Sequence, residues 1–508
     1  MKFRTIFPIL AAAIAAVGCN APAGGRVDVI PYPQEVRVGT ERIQTVSKLV
    51  ETLDSRMPAE SYELKVGKNG KVSIKAADSA GLFYAHQTLG QQLAKGGAAV
   101  GTIKDAPRYV WRGFMLDESR HFSGMERVKW ILDEMARLKM NKFHWHLTDA
   151  QGWRIEIKSW PYLAEIGGQG NHSDIDAPAQ YYTQEQIREI VRYAAERHIE
   201  IIPEIDMPGH ASAANKAYPQ FSGGGVSAGF PAFTFNVGKP ETYAFIEDVL
   251  TEVAELFPAP YIMIGGDEVS YGSYAWLADK DITAMMAEKG YTDVLQAEGY
   301  FIREISKLVK DLGKQMIGWD DIVDFGVPSE GNLMMWWRHD NVGRLHDVLD
   351  GGYQTILCPR KPMYFDFVQH DDHKVGRKWD GFCPIEDVYS FPDAYYEHWG
   401  VSEADLSQVI GVQSNLWSEL THNTDRVDFM VFPRIFATAE SAWTLPQNKD
   451  YSRFETLLEA EYDRLDTLGI YYYDYRDPEH HSEPAGPVLG VRPVDRKAFR
   501  TVVQEFRD

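Results

Sequence analysis

The sequence predicts an α/β fold: a (β/α)8 TIM barrel preceded by a small α/β domain. Three observations carry this. Eight short stretches between residues 111 and 417 read as strands, and the apolar run at 261–264 has the make-up of a strand covered on both faces, as in a parallel sheet flanked by helices. Helical patterns separate most of them, so strand and helix alternate as barrel units do. At 508 residues and 44% hydrophobic content, the chain can fill two or three domains and a large core.

Taken in order, the chain opens with MKFRTIFPILAAAIAAVGCN: Lys2 and Arg4, an apolar stretch, small residues, then Cys19. This is a targeting pattern. AAVGC resembles the bacterial lipoprotein signal, in which cleavage leaves a cysteine to be lipidated. Residues 1–19 are therefore expected to be a lipoprotein-type signal with Cys19 as the lipidated residue. An ordinary secretory signal with a coincidental cysteine is the plainer alternative. Either way the protein is expected to be exported, to the periplasm or outer membrane of a bacterial cell envelope, and to meet the membrane only through that lipid anchor. The apolar stretch is short for a membrane span. Residues 20–26, NAPAGGR, read as a tether. Residues 27–107 read as the small α/β domain: YELKV (62–66) and KVSIKA (71–76) alternate as strands do, and GLFYAHQTLGQQLAKGG (81–97) reads as an amphipathic helix ending in glycines.

The barrel is expected over 108–450. Its strand candidates are 111–117, 141–149, 199–206, 261–268, 314–321, 332–338, 353–359 and 409–417. Helical stretches include 125–139, where Val128, Ile131, Leu132 and Met135 share one stripe, and 183–198, 240–257, 294–312 and 426–443. Residues 360–408 are irregular and read as a long loop. A C-terminal helical extension, 451–508, carries RFETLLEAEYDRLDTLG.

Composition narrows the function. A net charge of −21 argues against nucleic acid and against a polybasic membrane contact. The 13 Trp and 26 Tyr fit a large core, and they also fit a glycan site, because sugar C–H faces stack on aromatic rings. Cys358 and Cys383 allow one disulfide after export, but their spacing does not establish it.

Active sites of barrels lie at the C-terminal strand ends. Polar and aromatic residues collect there: Asp117 and Arg120, His146 and Asp149, Asp206 and His210, Asp267 and Glu268, Trp319, Trp337, Tyr364 and Asp366, Trp417 and Glu419. The stretch YIMIGGDEV (261–269) is the most informative. A regular strand would send Asp267 and Glu268 to opposite faces. A kink at Gly265 and Gly266 would let both reach one ligand. The plainer reading is a turn in which Asp267 caps the next helix. A nucleotide-cyclase GGDEF motif is disfavoured by Val269 in place of Phe. His144, His146 and Asp149 have a spacing that could suit a metal, but no further ligand motif supports one. No metal and no cofactor are expected, and His144 is read as a buried, satisfied histidine.

RGFMLDESRHF, NKFHWHLTDAQGWRIEI, PEIDMPGH, GGDEV and NLWSE, in that order, resemble a family 20 glycoside hydrolase, a β-N-acetylhexosaminidase, over nearly all of the mature chain. GWDD, WWR and PMYFD match more loosely. Ala150 departs from the pattern, since many members carry a second Asp after the one matching Asp149. The resemblance implies an exo-acting, retaining enzyme that removes terminal GlcNAc or GalNAc from oligosaccharides or glycoconjugates. It also implies substrate assistance, the family's general exception to the two-carboxylate scheme: the acetamido oxygen attacks its own anomeric carbon and forms an oxazolinium.

On that resemblance Glu268 is the general acid and then base, and Asp267 accepts the acetamido N–H. Tyr364 donates to the acetamido oxygen, and His210 with Asp149 supports Glu268. Trp319, Trp337 and Trp417 wall the sugar, while Arg120, Glu419 and Asp366 bind its hydroxyls. Other readings stay open: a glycan-binding lipoprotein without catalysis, a narrower enzyme for a disaccharide unit or sulfated sugar, and a metal-dependent hydrolase.

Overall fold

A computed structural model describes residues 25–495. The expected signal, Cys19 and most of the tether lie outside the described residues. Strands β1 (Glu35–Ile43), β2 (Lys48–Leu53), β3 (Tyr62–Val66), β4 (Lys71–Ala76) and β5 (Ala98–Asp105) form one sheet in the order β1-β5-β3-β4-β2. Alternation on β3 buries Tyr62, Leu64 and Val66, which join Tyr84, Ala85 and Leu89 of helix Ser79–Ala94 in one apolar cluster. That helix starts at Asp78, whose carboxylate accepts the Gly81 N–H at 2.8 Å.

Eight further strands close a parallel barrel: β6 (Trp111–Asp117), β7 (Lys142–Thr148), β8 (Glu200–Ile205), and, after a hairpin of β9 (Ser222–Ser227) and β10 (Phe230–Phe235), β11 (Tyr261–Met263), β12 (Gln315–Trp319), β13 (Asn332–Trp336), β14 (Gln354–Leu357) and β15 (Val409–Leu416). Closure is made by β15 against β6, from Gly411 beside Trp111 to Leu416 beside Leu116. All eight expected strands are present. The β9–β10 hairpin was not legible, because SGGGVS offers neither alternation nor a run of β-branched residues.

Alternation divides each barrel strand between two cores. Phe114 and Leu116 of β6 and Phe143, Trp145 and Leu147 of β7 pack outward with the helices. Trp111, Met115, Ile202, Met263, Ile317, Leu333, Met335 and Ile356 form the inner cluster. The same period sends His144 and His146 of β7, Glu204 of β8, and Gln413 and Asn415 of β15 inward, all fully buried. The barrel interior thus combines an apolar cluster with buried, hydrogen-bonded polar groups.

One helical expectation is corrected. Residues 426–443 do not form one helix. Thr424–Val431 and Arg434–Trp443 are separate, with Phe432 extended at φ −98 and ψ 136. Pro433 lacks an N–H and pushes the preceding residue out of the α region. In the C-terminal extension the expected helix is present over Tyr451–Leu468. Its remaining described residues, apart from a 3-10 turn at Pro493–Asp495, run as a strap. The strap reaches loops at the barrel mouth, where Gly490 N–H donates to Ser173 O at 2.8 Å and Val494 N–H to Gly229 O at 3.2 Å.

The small domain docks at the other end. Lys139, just before β7, sends its Nζ to Tyr62 Oη and Asp105 Oδ2, both at 2.9 Å, and Trp443 Nε1 donates to Asp105 Oδ1 at 3.0 Å. The strand C-termini are therefore left to the loops. Cys358 and Cys383 are buried and unbridged. Among the described residues no helix is long and apolar enough to cross a membrane.

Candidate active site

Strand β11 stops at Met263, and the backbone then turns sharply: φ is +68 at Gly265, +86 at Gly266 and +55 at Glu268. Gly265 is required twice over, since a Cβ there would lie 2.0 Å from Asp206 Oδ1. The kink brings both acids to one group. His210 Nε2 lies 3.6 Å from Asp267 Oδ2 and 3.7 Å from Glu268 Oε2. Asp267 does not cap the following turn of helix, whose N-cap position is Val269 with no side-chain bond. Gly265→Ala is expected to cost at least about 1 kcal/mol, because it adds a clash to a backbone conformation that L residues disfavour. An unchanged denaturation midpoint would show that Asp206 yields freely.

His210 follows β8, itself in the left-handed region at φ +53. Its Nδ1 lies 3.0 Å from Asp149 Oδ1. Asp149 Oδ2 lies 3.0 Å from His146 Nε2 and 2.7 Å from an Arg120 guanidinium nitrogen. His146 Nδ1 reaches Glu204 Oε2 at 2.6 Å, and His144 Nε2 reaches the same oxygen at 2.8 Å. Gln413 Nε2 donates to His144 Nδ1 at 3.0 Å, and Trp319 Nε1 donates to Glu204 Oε1 at 3.3 Å. A chain of hydrogen bonds thus climbs from the barrel interior to His210, whose Nε2 faces the acid pair at 3.6 and 3.7 Å without bonding either acid. His144 is the satisfied histidine its place on the inner face implied.

The charges in this chain are set by opposing effects. Burial alone would strip His210 of its proton, but Asp149 and Asp267 outweigh it and raise its pKa to about 9. Burial opposes His146 likewise, and Glu204 and Asp149 win there, raising it to about 10. Burial raises the Asp149 carboxyl, yet Arg120 and His210 hold it well below the usual range. Asp267 differs. Burial pushes it up to about 7, Glu268 and Asp321 add to the shift, and His210 opposes it. Asp267 Oδ1 and His210 Nε2 are buried and make no hydrogen bond within the protein.

An aromatic cup sits beside the pair. Trp319, Trp337, Tyr364 and Trp417 continue the inner barrel cluster. Trp337 and Tyr364 are stacked, with ring centroids 6.5 Å apart and planes at 9°, and Trp417 lies 6.0 Å from Tyr364 and 6.1 Å from Trp319. Trp337 Nε1 donates to Asp321 Oδ2 at 2.8 Å. Arg120 lies 4.8 Å over the Trp417 ring while bonding Asp149, Asp117 and Gln151. Asp366 and Glu419 are joined by Arg377. The eleven residues to which the resemblance gives catalytic or sugar-binding roles thus lie together at the barrel mouth.

Several His and carboxylate triads come within 4.8 Å of one another: His146 with Glu204 and Asp206, Asp149 with Asp206 and His210, and His210 with Asp267 and Glu268. In the two deeper triads the histidine nitrogens are already engaged by carboxylates, and of these nitrogens only His210 Nε2, in the third, is unbonded. Both nitrogens of His146 and Nδ1 of His210 face carboxylates, and both rings carry protons that a metal would have to displace. The set fits a proton-holding network better than a metal site.

Sequence reasoning assigned no role to Glu204, Asp206, Asp321, Gln413 or Arg377. The first three lie inside quoted motifs, at or just past strand ends, so position alone could have raised them. Arg377 sits in the irregular 360–408 stretch and gave no signal.

A closed (β/α)8 barrel with paired acids and an aromatic cup at its strand ends belongs to the barrel enzymes. The model of the glycosyl hydrolase family 20 catalytic domain matches residues 109–446, and that of the family's domain 2 matches residues 40–106. A β-hexosaminidase from Porphyromonas gingivalis is 37% identical over 446 residues, covering 83% of this chain but 56% of that protein. A β-N-acetylhexosaminidase from Cellulomonas fimi is 31% identical over 439 residues, covering 83% of this chain and 82% of that protein. Among solved structures, a family 20 exo-β-N-acetylglucosaminidase from Vibrio harveyi, in complex with N-acetylglucosamine, superposes with a TM-score of 0.80 at 29% identity, over 90% of this chain and 80% of that one. The chain belongs to glycosyl hydrolase family 20.

Proposed function

We propose that this protein is an exo-acting β-N-acetylhexosaminidase that hydrolyses terminal GlcNAc or GalNAc with retention, through an oxazolinium intermediate. The observation that carries the reading is the pair of adjacent acids turned toward one imidazole nitrogen. Retaining glycosidases of the two-carboxylate kind place their acids on either side of the sugar, about 5–5.5 Å apart. Neighbouring residues sharing one histidine are badly placed for that. They are well placed for a reaction in which the nucleophile belongs to the substrate.

In this scheme Asp267 accepts the acetamido N–H and offsets the positive charge that develops. Tyr364 donates to the acetamido oxygen, and the stacked Trp337 with Trp319 and Trp417 packs the methyl and the ring. Glu268 protonates the departing oxygen and then takes a proton from water. The His210 imidazolium stabilises Glu268 once it is ionised, and Asp149 holds the ring in place.

The test pairs two aryl glycosides that differ only in the 2-acetamido group. Turnover of the N-acetylglucosaminide, none of the glucoside, and inhibition by a thiazoline mimic of the oxazolinium are expected. Equal hydrolysis of the glucoside would reject substrate assistance.

A further inference from the structure

We propose that Arg377 is a specificity-determining positioning residue: it locks Asp366 and Glu419 into one rigid pair of hydroxyl acceptors, and so sets how sharply the site separates sugars that differ at a single hydroxyl. This rests on the reading above, in which Asp366 and Glu419 contact the hydroxyls of the bound sugar.

The two carboxylates come from different strand ends. Asp366 lies beyond β14 and Glu419 beyond β15. Arg377 spans them, with Nε bonded to Asp366 Oδ2 and a terminal nitrogen 2.9 Å from Glu419 Oε1. A guanidinium is planar and presents its donors in a fixed fork, so it fixes the spacing between two acceptors as a lysine cannot.

The backbone of Arg377 is itself held. Its N–H donates to Asp366 O at 2.8 Å, and its carbonyl accepts the Val368 N–H at 3.1 Å. Gly376 makes this approach possible. It sits at φ +134, and a Cβ there would lie 2.7 Å from Val368 Cγ1 and 2.9 Å from Asp366 O. The segment before it is braced by the C-terminal strap: Glu483 accepts the N–H groups of Lys374 at 2.6 Å and Val375 at 2.8 Å, and Arg426 lies 3.2 Å from Glu483 Oε1. The Arg377 side chain is 38% exposed and Glu419 21%, so the bridge lies at the rim of the mouth and its rigidity comes from the held backbone and the buried carboxylate. The Asp366 side chain is only 7% exposed.

Charge supports the geometry. Burial raises the Glu419 carboxyl, but Arg377 and Arg120 outweigh it and hold it at about 2, with His172 and Arg492 also acting on it. Asp366 is raised to about 6 by burial, with Glu419 adding and Arg377 opposing; Tyr364, Cys383 and Arg434 are its other titratable or charged neighbours. Removing Arg377 lifts the Asp366 value further. Near neutrality its carboxylate then becomes a carboxylic acid, which donates a hydrogen bond where the ionised form only accepts.

The test uses Arg377→Gln and Arg377→Lys in the full chain. Kinetics are measured from pH 5 to 8 on 4-nitrophenyl β-N-acetylglucosaminide and its galactosaminide, which differ only in the direction of one hydroxyl. Arg377→Gln should raise KM about tenfold with a much smaller fall in kcat, and should change the ratio of kcat/KM between the two sugars at least about fivefold. The acid limb of kcat/KM, set in the wild type by Asp267, should steepen and extend to higher pH as Asp366 adds a second ionisation to it. Arg377→Lys should restore the limb but not the ratio. Unaltered KM and ratio in a variant with wild-type melting would overturn the proposal, as would a fall in kcat alone that is equal for both sugars. If the wild type turns over neither glycoside, the parent reading fails instead.

Discussion

Glu268→Gln is expected to lower kcat/KM by about 10²–10⁴, the usual worth of a positioned general acid, and to do so unevenly. The loss should be largest for alkyl and oligosaccharide leaving groups, which cannot depart without a proton. It should shrink for nitrophenyl glycosides, whose departing oxygen is stable as an anion. The substitution keeps the shape of the side chain, which is about a third exposed and bonded to nothing that supports the fold. Folding should therefore be unaffected, and the effect should be chemical.

A second feature separates acid from bystander. His210 carries a proton at neutral pH because Asp149 and Asp267 outweigh its burial. It thus stands 3.7 Å from Glu268 as a cation, ready to stabilise the carboxylate left after proton donation. Nitrophenyl substrates, which skip the acid's help in the first step, still need Glu268 as the base that activates water in the second. Their residual loss should therefore appear in breakdown of the intermediate and be relieved by added azide. An equal loss across good and poor leaving groups, with no rescue by azide, would remove Glu268 from the role of acid.

How much of this was readable depends on what kind of signal each residue leaves. The barrel strands were legible because short, mostly apolar stretches alternate with helical patterns, and the acid pair because it closes such a stretch at a predicted C-terminal strand end, although GGDE alone also fits a capping turn. Pro433 was visible too, yet the amphipathic pattern on either side of it concealed the break it makes. The interior network was half legible: His144 and His146 announce a polar face by their spacing, but Glu204 and Gln413, which satisfy them, come from strands 60 and 269 residues away. Arg377 left no trace. Its importance arises from a backbone pairing with Asp366 inside a stretch that has no period to read.

Asp267→Asn should be nearly as damaging as loss of the acid. An internal nucleophile held in attack geometry can supply up to about 7–11 kcal/mol of the barrier, and Asp267 is the group that would hold it. The asparagine keeps an oxygen that can accept the acetamido N–H but gives up the charge that offsets the forming oxazolinium. A fall of at least about 10² in kcat is expected from that lost electrostatic stabilisation.

The pH profile makes the assignment specific. Burial, then Glu268 and Asp321, raise the Asp267 carboxyl to about 7, so in the free protein it is only partly ionised at neutrality. The mechanism needs the ionised form. Below pH 7 the proton occupies the site and kcat/KM falls; as pH rises through 7 the proton leaves and kcat/KM recovers. Bound substrate, which donates to the carboxylate, favours the ionised form, so the same limb in kcat should lie at lower pH. Asp267→Asn has no such proton to lose, and its acid limb near 7 should vanish while the rest of the profile stays. A variant with near-normal kcat and the limb intact would place both the orienting group and the titration elsewhere. Buried Asp206, whose own carboxyl is held well up by burial with Asp267, Glu204 and Asp149 around it, would then be the group to test.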